Sequence, residues 1–440
     1  MKDTFFGFFE RLAATVGSAE RLTAHYKGEE SCFIRFNRGL VRQPGSVTQN
    51  DCTLRLISGL KQANMELSLS GVLEQDVQRG LQALETLRAW IVHLPDDPHL
   101  LLPEQPQSTE RMSQMLLPDS GTMVTDILDV ARGLDLVGIL ATGSIGRGFA
   151  STSGQRNWFT AHPFSFDWCI YHHGDKAVKS TWSGFEWDRG VLEQKMESAQ
   201  RKLAILDQPV KKLAPGRYRT YLTPAAVSDL VGMCSWGGFS ASATKIGMSP
   251  LLHLSSGDRQ LDPRICISEN VAQGVTEDFQ DSGFIRPGNV PLVAEGKLVG
   301  TLVSPRSAKE YGLENNGAGG GESPCALDMA GGSMPNAEVL ERLGTGVYVS
   351  NLWYLNFSDR AAGRITGMTR FATLWIEDGK PVGPIDPMRF DETLYNALGD
   401  NLLALTRERE FDLSTSTYHR RSTESTRVPG ALIDAFPFTL

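Results

Sequence analysis

The sequence predicts an α+β chain: an N-terminal α/β domain with helices on an antiparallel sheet, then a β-rich C-terminal domain. Three observations carry this. Helical spacing of apolar residues occurs in only a few segments. Alternating segments follow one another too closely for crossover helices, as an antiparallel meander does. After Pro209 and Pro215 the texture shifts to short strands and Gly or Pro turns, with few helical candidates. The boundary is therefore placed between a first domain, 1–215, and a second, 216–440.

Phe5, Phe6, Phe9, Leu12, Ala13 and Val16 share one helical face, which predicts an amphipathic helix over 4–25. Segments 31–36, 52–58 and 64–70 alternate as strands, the first two separated by a turn at Pro44-Gly45-Ser46. Val77, Leu81, Leu84, Leu87 and Ile91 mark a second helix that stops at Pro95. A polar, Pro-rich stretch over 95–118 reads as linker-like. A helix over 124–134 precedes strands at 136–142, 147–152, 156–162, 164–171 and 178–183, and a helix over 188–206 closes the first domain. In the second, strand 218–222 leads into Thr223-Pro224, a Thr N-cap with Pro at the first helical position. That helix is expected to run to Cys234, and two further helices are expected over 335–343 and 391–405.

The 440 residues carry 43 Lys plus Arg and 51 Asp plus Glu, a net charge of −8, which argues against a nucleic-acid surface. Hydrophobic residues at 41% and charged residues at 21% are those of a globular protein. No apolar run nears the roughly 20 residues of a membrane-spanning helix. Six cysteines without a CxxC pair read as reduced thiols, and a cytoplasmic location is expected. Glycine makes up 44 residues, above the usual share of about 7%, and clusters at 317–321 and 331–332.

The residues alone declare no active site. Cys169, His172 and His173 invite a metal reading, but Cys169 and His173 on one strand face would stand about 13 Å apart. Gly143-Ser-Ile-Gly146-Arg-Gly148 and Gly317–Gly321 match no phosphate-binding fingerprint and read as turns. Ser242-Ala-Thr-Lys245 has the SxxK spacing without its companion motifs. Cys234 reads as a core thiol.

Several segments carry a resemblance: Tyr311–Gly321 (YGLENNGAGGG), Leu340–Leu352 (LERLGTGVYVSNL), Gly363-Arg-Ile-Thr-Gly367, Leu374–Val382 and Gly399-Asp400-Asn401-Leu402. Together they resemble the TldD/PmbA family, also called the modulator of DNA gyrase family, with weaker similarity back to about residue 25. TldD-like chains of that family hold zinc through HExxxH and a late cysteine, with the Glu as general base, whereas TldE-like chains lack these ligands and pair with a TldD-like chain. Here the HExxxH slot falls on Ser228-Asp229-Leu230-Val231-Gly232-Met233, and no cysteine follows Cys325. The resemblance thus implies a TldE/PmbA-like subunit, with no catalytic residues and no metal of its own. Zinc is expected in the partner.

The function implied is a non-catalytic subunit of a heterodimeric zinc metalloprotease acting on peptides or unfolded proteins. The alternative is a homodimeric binding or scaffold protein of the same fold. A stand-alone hydrolase using Cys234 or Ser242 is a third reading. Peptide is expected to lie as an added strand against Val347–Leu352 or Thr373–Glu377, with Ser350 and Asn351 lining the groove. Neither nucleic acid nor membrane is expected as a partner.

Overall fold

The fold is described from a computed structural model covering residues 1–114, 116–174 and 176–439. Its first half contains α1 (Lys2–Ala13), β1 (Glu20–Asn37), β2 (Leu40–Ser58), β3 (Lys61–Ser68), α2 (Leu73–Ile91), β4 (Thr109–Met112), α3 (Ser120–Val130), β5 (Asp135–Ser151), β6 (Arg156–Ala161), β7 (Phe164–Tyr171), β8 (Ala177–Gly184) and α4 (Arg189–Leu206). Eight strands form one sheet, ordered β3-β2-β1-β5-β6-β4, with β7 pairing both β5 and β8. Helices α1 and α2 cover one end of it. Phe5, Phe8, Phe9 and Leu12 meet Val77, Leu84, Leu87 and Ile91 over the β1–β2 residues Leu22, Ala24, Leu54 and Leu56.

Several expected elements differ. Helix α1 stops at Ala13, because the residues from Glu20 onward belong to an 18-residue strand paired on both sides, by β2 and β5. The β1–β2 turn lies at Arg38-Gly39, both at positive φ (55° and 68°), as a two-residue hairpin of this twist requires. Pro44-Gly45 continues β2 instead of breaking it. This part of β2 lies outside β3's reach, and Pro is tolerated on an open edge. Strands 136–142 and 147–152 are the single strand β5, so Gly143–Gly148 is sheet and not a turn. The Pro-rich 95–118 stretch is no free linker: β4 pairs with β6, and Asp97 holds Arg306 at 2.9 Å. Met115, within that stretch, lies outside the described residues.

The second half contains β9 (Gly216–Leu222), α5 (Pro224–Gly232), α6 (Ala241–Lys245), α7 (Leu252–Ser256), β10 (Ile267–Glu269), β11 (Val290–Ala294), β12 (Lys297–Leu298), α8 (Pro305–Tyr311), β13 (Ala326–Met329), α9 (Val339–Leu343), β14 (Gly346–Asp359), β15 (Arg364–Glu377), β16 (Lys380–Pro384), β17 (Arg389–Thr393), β18 (Leu402–Leu413) and β19 (Ser425–Phe438). The expected helix over 391–405 is helical only in its middle, ending in a π-helix over Asn396–Asp400; its ends belong to β17 and β18. Eleven strands form one sheet, and the run β19-β17-β15-β14-β9 closes on itself because β9 also pairs with β19. Helix α5 packs Ala226, Val227, Leu230 and Val231 into the same core as Val347, Val349, Ala431 and Ile433 of this ring.

The two halves share apolar contacts. Leu192, Met196, Leu203 and Leu206 of α4 belong to one core with Tyr221, Val339, Leu374 and Ile376. Charged groups also bridge the halves. Buried Glu277 lies 4.0 Å from Arg147 on β5 and 3.9 Å from Arg286. The β18–β19 loop reaches back through Arg420 to Asp51 at 2.8 Å, and through the Arg421 backbone N–H to Glu29 at 2.9 Å.

Candidate functional site

Packing α4 and β8 against β9, α5 and β14 leaves a cavity of about 600 Å³ between the two sheets. Its floor is β14, with Tyr348, Ser350 and Asn351, and the N-terminus of α5 opens onto it through Thr223, Pro224 and Ala225. Its outer wall is α4, which contributes Lys195, Arg201 and Lys202, joined by Lys179 from β8 and Glu410 from β18. The size lies within the roughly 300–1,000 Å³ usual for ligand sites, and such sites favour the meeting of two layers.

The floor is rigidly built. Thr223 is the N-cap of α5 predicted from Thr223-Pro224; its Oγ1 accepts the Ala226 N–H at 3.4 Å and donates to the Ser350 carbonyl at 2.6 Å. Asp229, six residues on, accepts the Leu352 N–H at 3.2 Å. These two side chains take over from β9 as partners of β14, since backbone pairing ends at Val349 with Leu222. On the far side β15 carries one extra residue: Phe371 and Ala372, between its Arg370 and Thr373 pairings, lie opposite the single Ser350, with Phe371 at φ 59°. This is a bulge of the kind found beside binding sites.

These pairings bear on the expected peptide strand. Over Val347–Val349 β14 is paired on both sides, beyond it Thr223 and Asp229 occupy the Ser350 carbonyl and Leu352 N–H, and Leu374–Glu377 of β15 lies between β14 and β16. Neither segment is a free edge, so an added strand has no backbone to pair with there. Ser350 and Asn351 do line the cavity, and the buried Asn351 amide oxygen has no hydrogen-bond partner among the described residues. A ligand at this site is therefore met by side chains.

The HExxxH slot lies beside this floor. Asp229 keeps solvent access as a residue, yet protein crowds its carboxyl closely enough to cost it hydration. Loss of hydration there raises its carboxyl to about 7; the Leu352 N–H and Lys179 oppose the rise and Asp412 adds to it. Asp412 is itself raised to about 6 by burial and by neighbouring Asp167 and Glu410. Ser228 is half-buried, whereas Met233 is 4% exposed and turned into the core. One carboxylate, one hydroxyl and a buried thioether fall short of the three donors that a catalytic zinc takes.

The Asp229 shift has a sign that can be checked. The unfolded chain ionises Asp229 near pH 3.9, the folded chain only near 7, so this group lowers stability progressively as pH rises between those values. Asp229→Asn keeps an acceptor for Leu352 and removes the penalty. Melting curves are expected to match wild type at pH 4 and to lie above it at pH 8; a variant less stable at pH 8 contradicts the assignment.

The other candidates are not assembled for chemistry. Cys234 follows α5 in a buried 3₁₀ turn, where burial pushes its thiol up to about 12. Lys245 is solvent-exposed, and among the described residues it makes no hydrogen bond to Ser242. The 317–321 run does turn. Gly317 (φ 72°) passes so close to Ile285 that a Cβ would lie 2.4 Å from its carbonyl oxygen. The turn delivers buried Glu322, which accepts from the Ser240 hydroxyl (2.6 Å) and from the Ser242 and Ser304 N–H groups (2.9 and 2.8 Å). His172 and His173 lie beyond the end of β7, not in it, and with Asp207 bring three ligand-type atoms within 4.8 Å; Cys169 is not among them. No helix among the described residues is long and apolar enough to cross a membrane.

The scaffold is thus a closed β ring plugged by a short helix, with a cleft where a second sheet meets it. Residues 215–439 match the PmbA/TldA metallopeptidase C-terminal domain. With more than half its length matched, the chain belongs to the TldD/PmbA family. No curated protein matches it in sequence. Among solved structures it is similar to TldE from Thermococcus kodakarensis (TM-score 0.81, 13% identity, covering 98% of this chain and 100% of that one). It is also similar to a putative modulator of DNA gyrase from Thermotoga maritima (0.78, 13%, 99% and 100%). A third, from Bacteroides thetaiotaomicron, is likewise described as a putative modulator of DNA gyrase (0.72, 15%, 99% and 98%). At these identities the likeness is one of fold.

Proposed function

We propose that this chain is a TldE/PmbA-like subunit: a zinc-free partner of a zinc-bearing, HExxxH-containing relative in a heterodimeric peptidase. The observation that carries the reading is the composition of the slot on α5. Asp229 is the only metal-ligating side chain there, and its neighbour at the second histidine position, Met233, is core. With no metal-bound water beside it, a carboxyl raised to about 7 has no nucleophile to activate. The cavity beside Ser350 and Asn351 serves in this reading to hold peptide while the partner cuts it.

The similarity to TldE supports the subunit role, and the chain's own surface is consistent with a large contact. Trp236, Ile246, Met248, Trp353 and Tyr354 are all exposed, Tyr354 by 82%. The homodimeric scaffold is the competing reading. Co-expression with an HExxxH-bearing relative, followed by native mass measurement, separates them. A one-to-one complex is expected; two copies of this chain that refuse the relative overturn the proposal.

A further inference from the structure

The cavity is electropositive in a chain that is acidic overall. Four cations line it, Lys179, Lys195, Arg201 and Lys202, against one carboxylate, Glu410, while the whole chain carries −8. The cations are not equally engaged. Lys179 lies 3.1 Å from Asp167, and Lys195 lies 3.6 Å from Glu410. Among the described residues Arg201 has only Glu197, at 3.7 Å, with both side chains about 70% exposed; a pair of that kind holds little.

Lys202 has no carboxylate within ion-pair distance among the described residues. Its ammonium instead stands 5.5 Å from the centre of the Tyr348 ring, on the cavity floor two residues before Ser350. A cation–π contact of this sort orients the ammonium without neutralising it. The floor offers no free strand edge, so peptide recognition must come from side chains, and the unspent ones on the wall are cationic. Charge in a recess is also screened less than charge on open surface.

We propose that this cavity selects peptides by a carboxylate, an Asp or Glu side chain or a free C-terminus, seated between Lys202 and Arg201. The proposal rests on the reading of the chain as a peptide-holding subunit. It names what that subunit prefers to hold, and so biases the complex toward acidic segments.

Fluorescence anisotropy with the full chain and three labelled pentapeptides tests it: Ala-Glu-Ala-Glu-Ala amide, penta-alanine with a free carboxylate, and Ala-Lys-Ala-Lys-Ala amide. The Glu peptide is expected to bind about tenfold more tightly than the Lys peptide, a ratio that one charge-assisted contact supplies. The gap should shrink between 0.02 and 0.5 M NaCl. Tighter binding of the free-carboxylate penta-alanine than of the Glu peptide assigns the seat to a C-terminus; the reverse assigns it to side chains, and either result supports the proposal. Lys202→Met, which keeps the stem over Tyr348, should at least halve the preference at an unchanged melting temperature, and Arg201→Glu/Lys202→Glu should invert it. Equal binding of all three peptides overturns the charge preference and leaves the subunit reading standing. No binding of any peptide overturns both.

Discussion

Glu277→Gln is expected to destabilise the protein by about 3–5 kcal/mol, the usual cost of leaving buried charges unpaired. Glu277 is 8% exposed and stands between Arg147 and Arg286, whose side chains are 6% and 11% exposed. Those two cations hold its carboxyl below the ordinary range against the pull of burial. Removing the anion leaves two guanidinium groups facing each other across the seam between the halves. The midpoint of denaturant unfolding measures the loss. A double variant, Glu277→Gln with Arg147→Met, should lose less than the sum of the single changes, because the second removes one stranded charge. Full additivity would contradict the picture of a coupled cluster.

Gly143→Ala is the second large effect, on the order of 3 kcal/mol or more. Gly143 sits in β5 opposite Ser31, at φ 129°, where an added Cβ would fall 2.1 Å from the Glu30 carbonyl oxygen. Neither atom belongs to a flexible side chain, so strand pairing itself must yield. Gly59, in the β2–β3 turn at φ 59° with nothing within 4 Å of a Cβ, is the control. Gly59→Ala should cost only about 1–2 kcal/mol, the left-handed backbone penalty. Similar melting points for the two variants would show that the β1–β5 register is wrong.

The contrast between these glycines explains what could be read in advance. Local signals with a mechanism were legible: Thr223-Pro224 starts α5, and the α4 helix and the strands 156–162, 164–171 and 178–183 fall within a residue or two of expectation. Signals decided by distant partners were not. Gly143 reads as a turn residue until β1 is laid beside it. The Arg38-Gly39 hairpin lacks the Asn-Gly or Asp-Gly pair that usually betrays one. Segment 391–405 has helix-forming residues, and its middle is helical, yet ring closure makes both of its ends strand.

The site divides in the same way. Ser350 and Asn351, expected to line a groove along the strand candidate Val347–Leu352, line the cavity. Arg201 and Lys202 carry no such signal, because charges along one face of an amphipathic helix read as solvated surface. Only the packing of α4 over β14 turns that face inward. Asp229 and Met233, four residues apart on one short segment, differ sharply: one is exposed and the other lies in the core.

The zinc content and activity of the purified chain, alone and mixed with an HExxxH-bearing relative, test the central claim most directly. Alone, the chain is expected to carry well under one zinc per molecule and to leave unfolded peptide intact. Mixed, cleavage should appear together with the relative's zinc and should be lost on chelation. One tightly bound zinc per chain, with peptide cleavage by this chain alone, would contradict it.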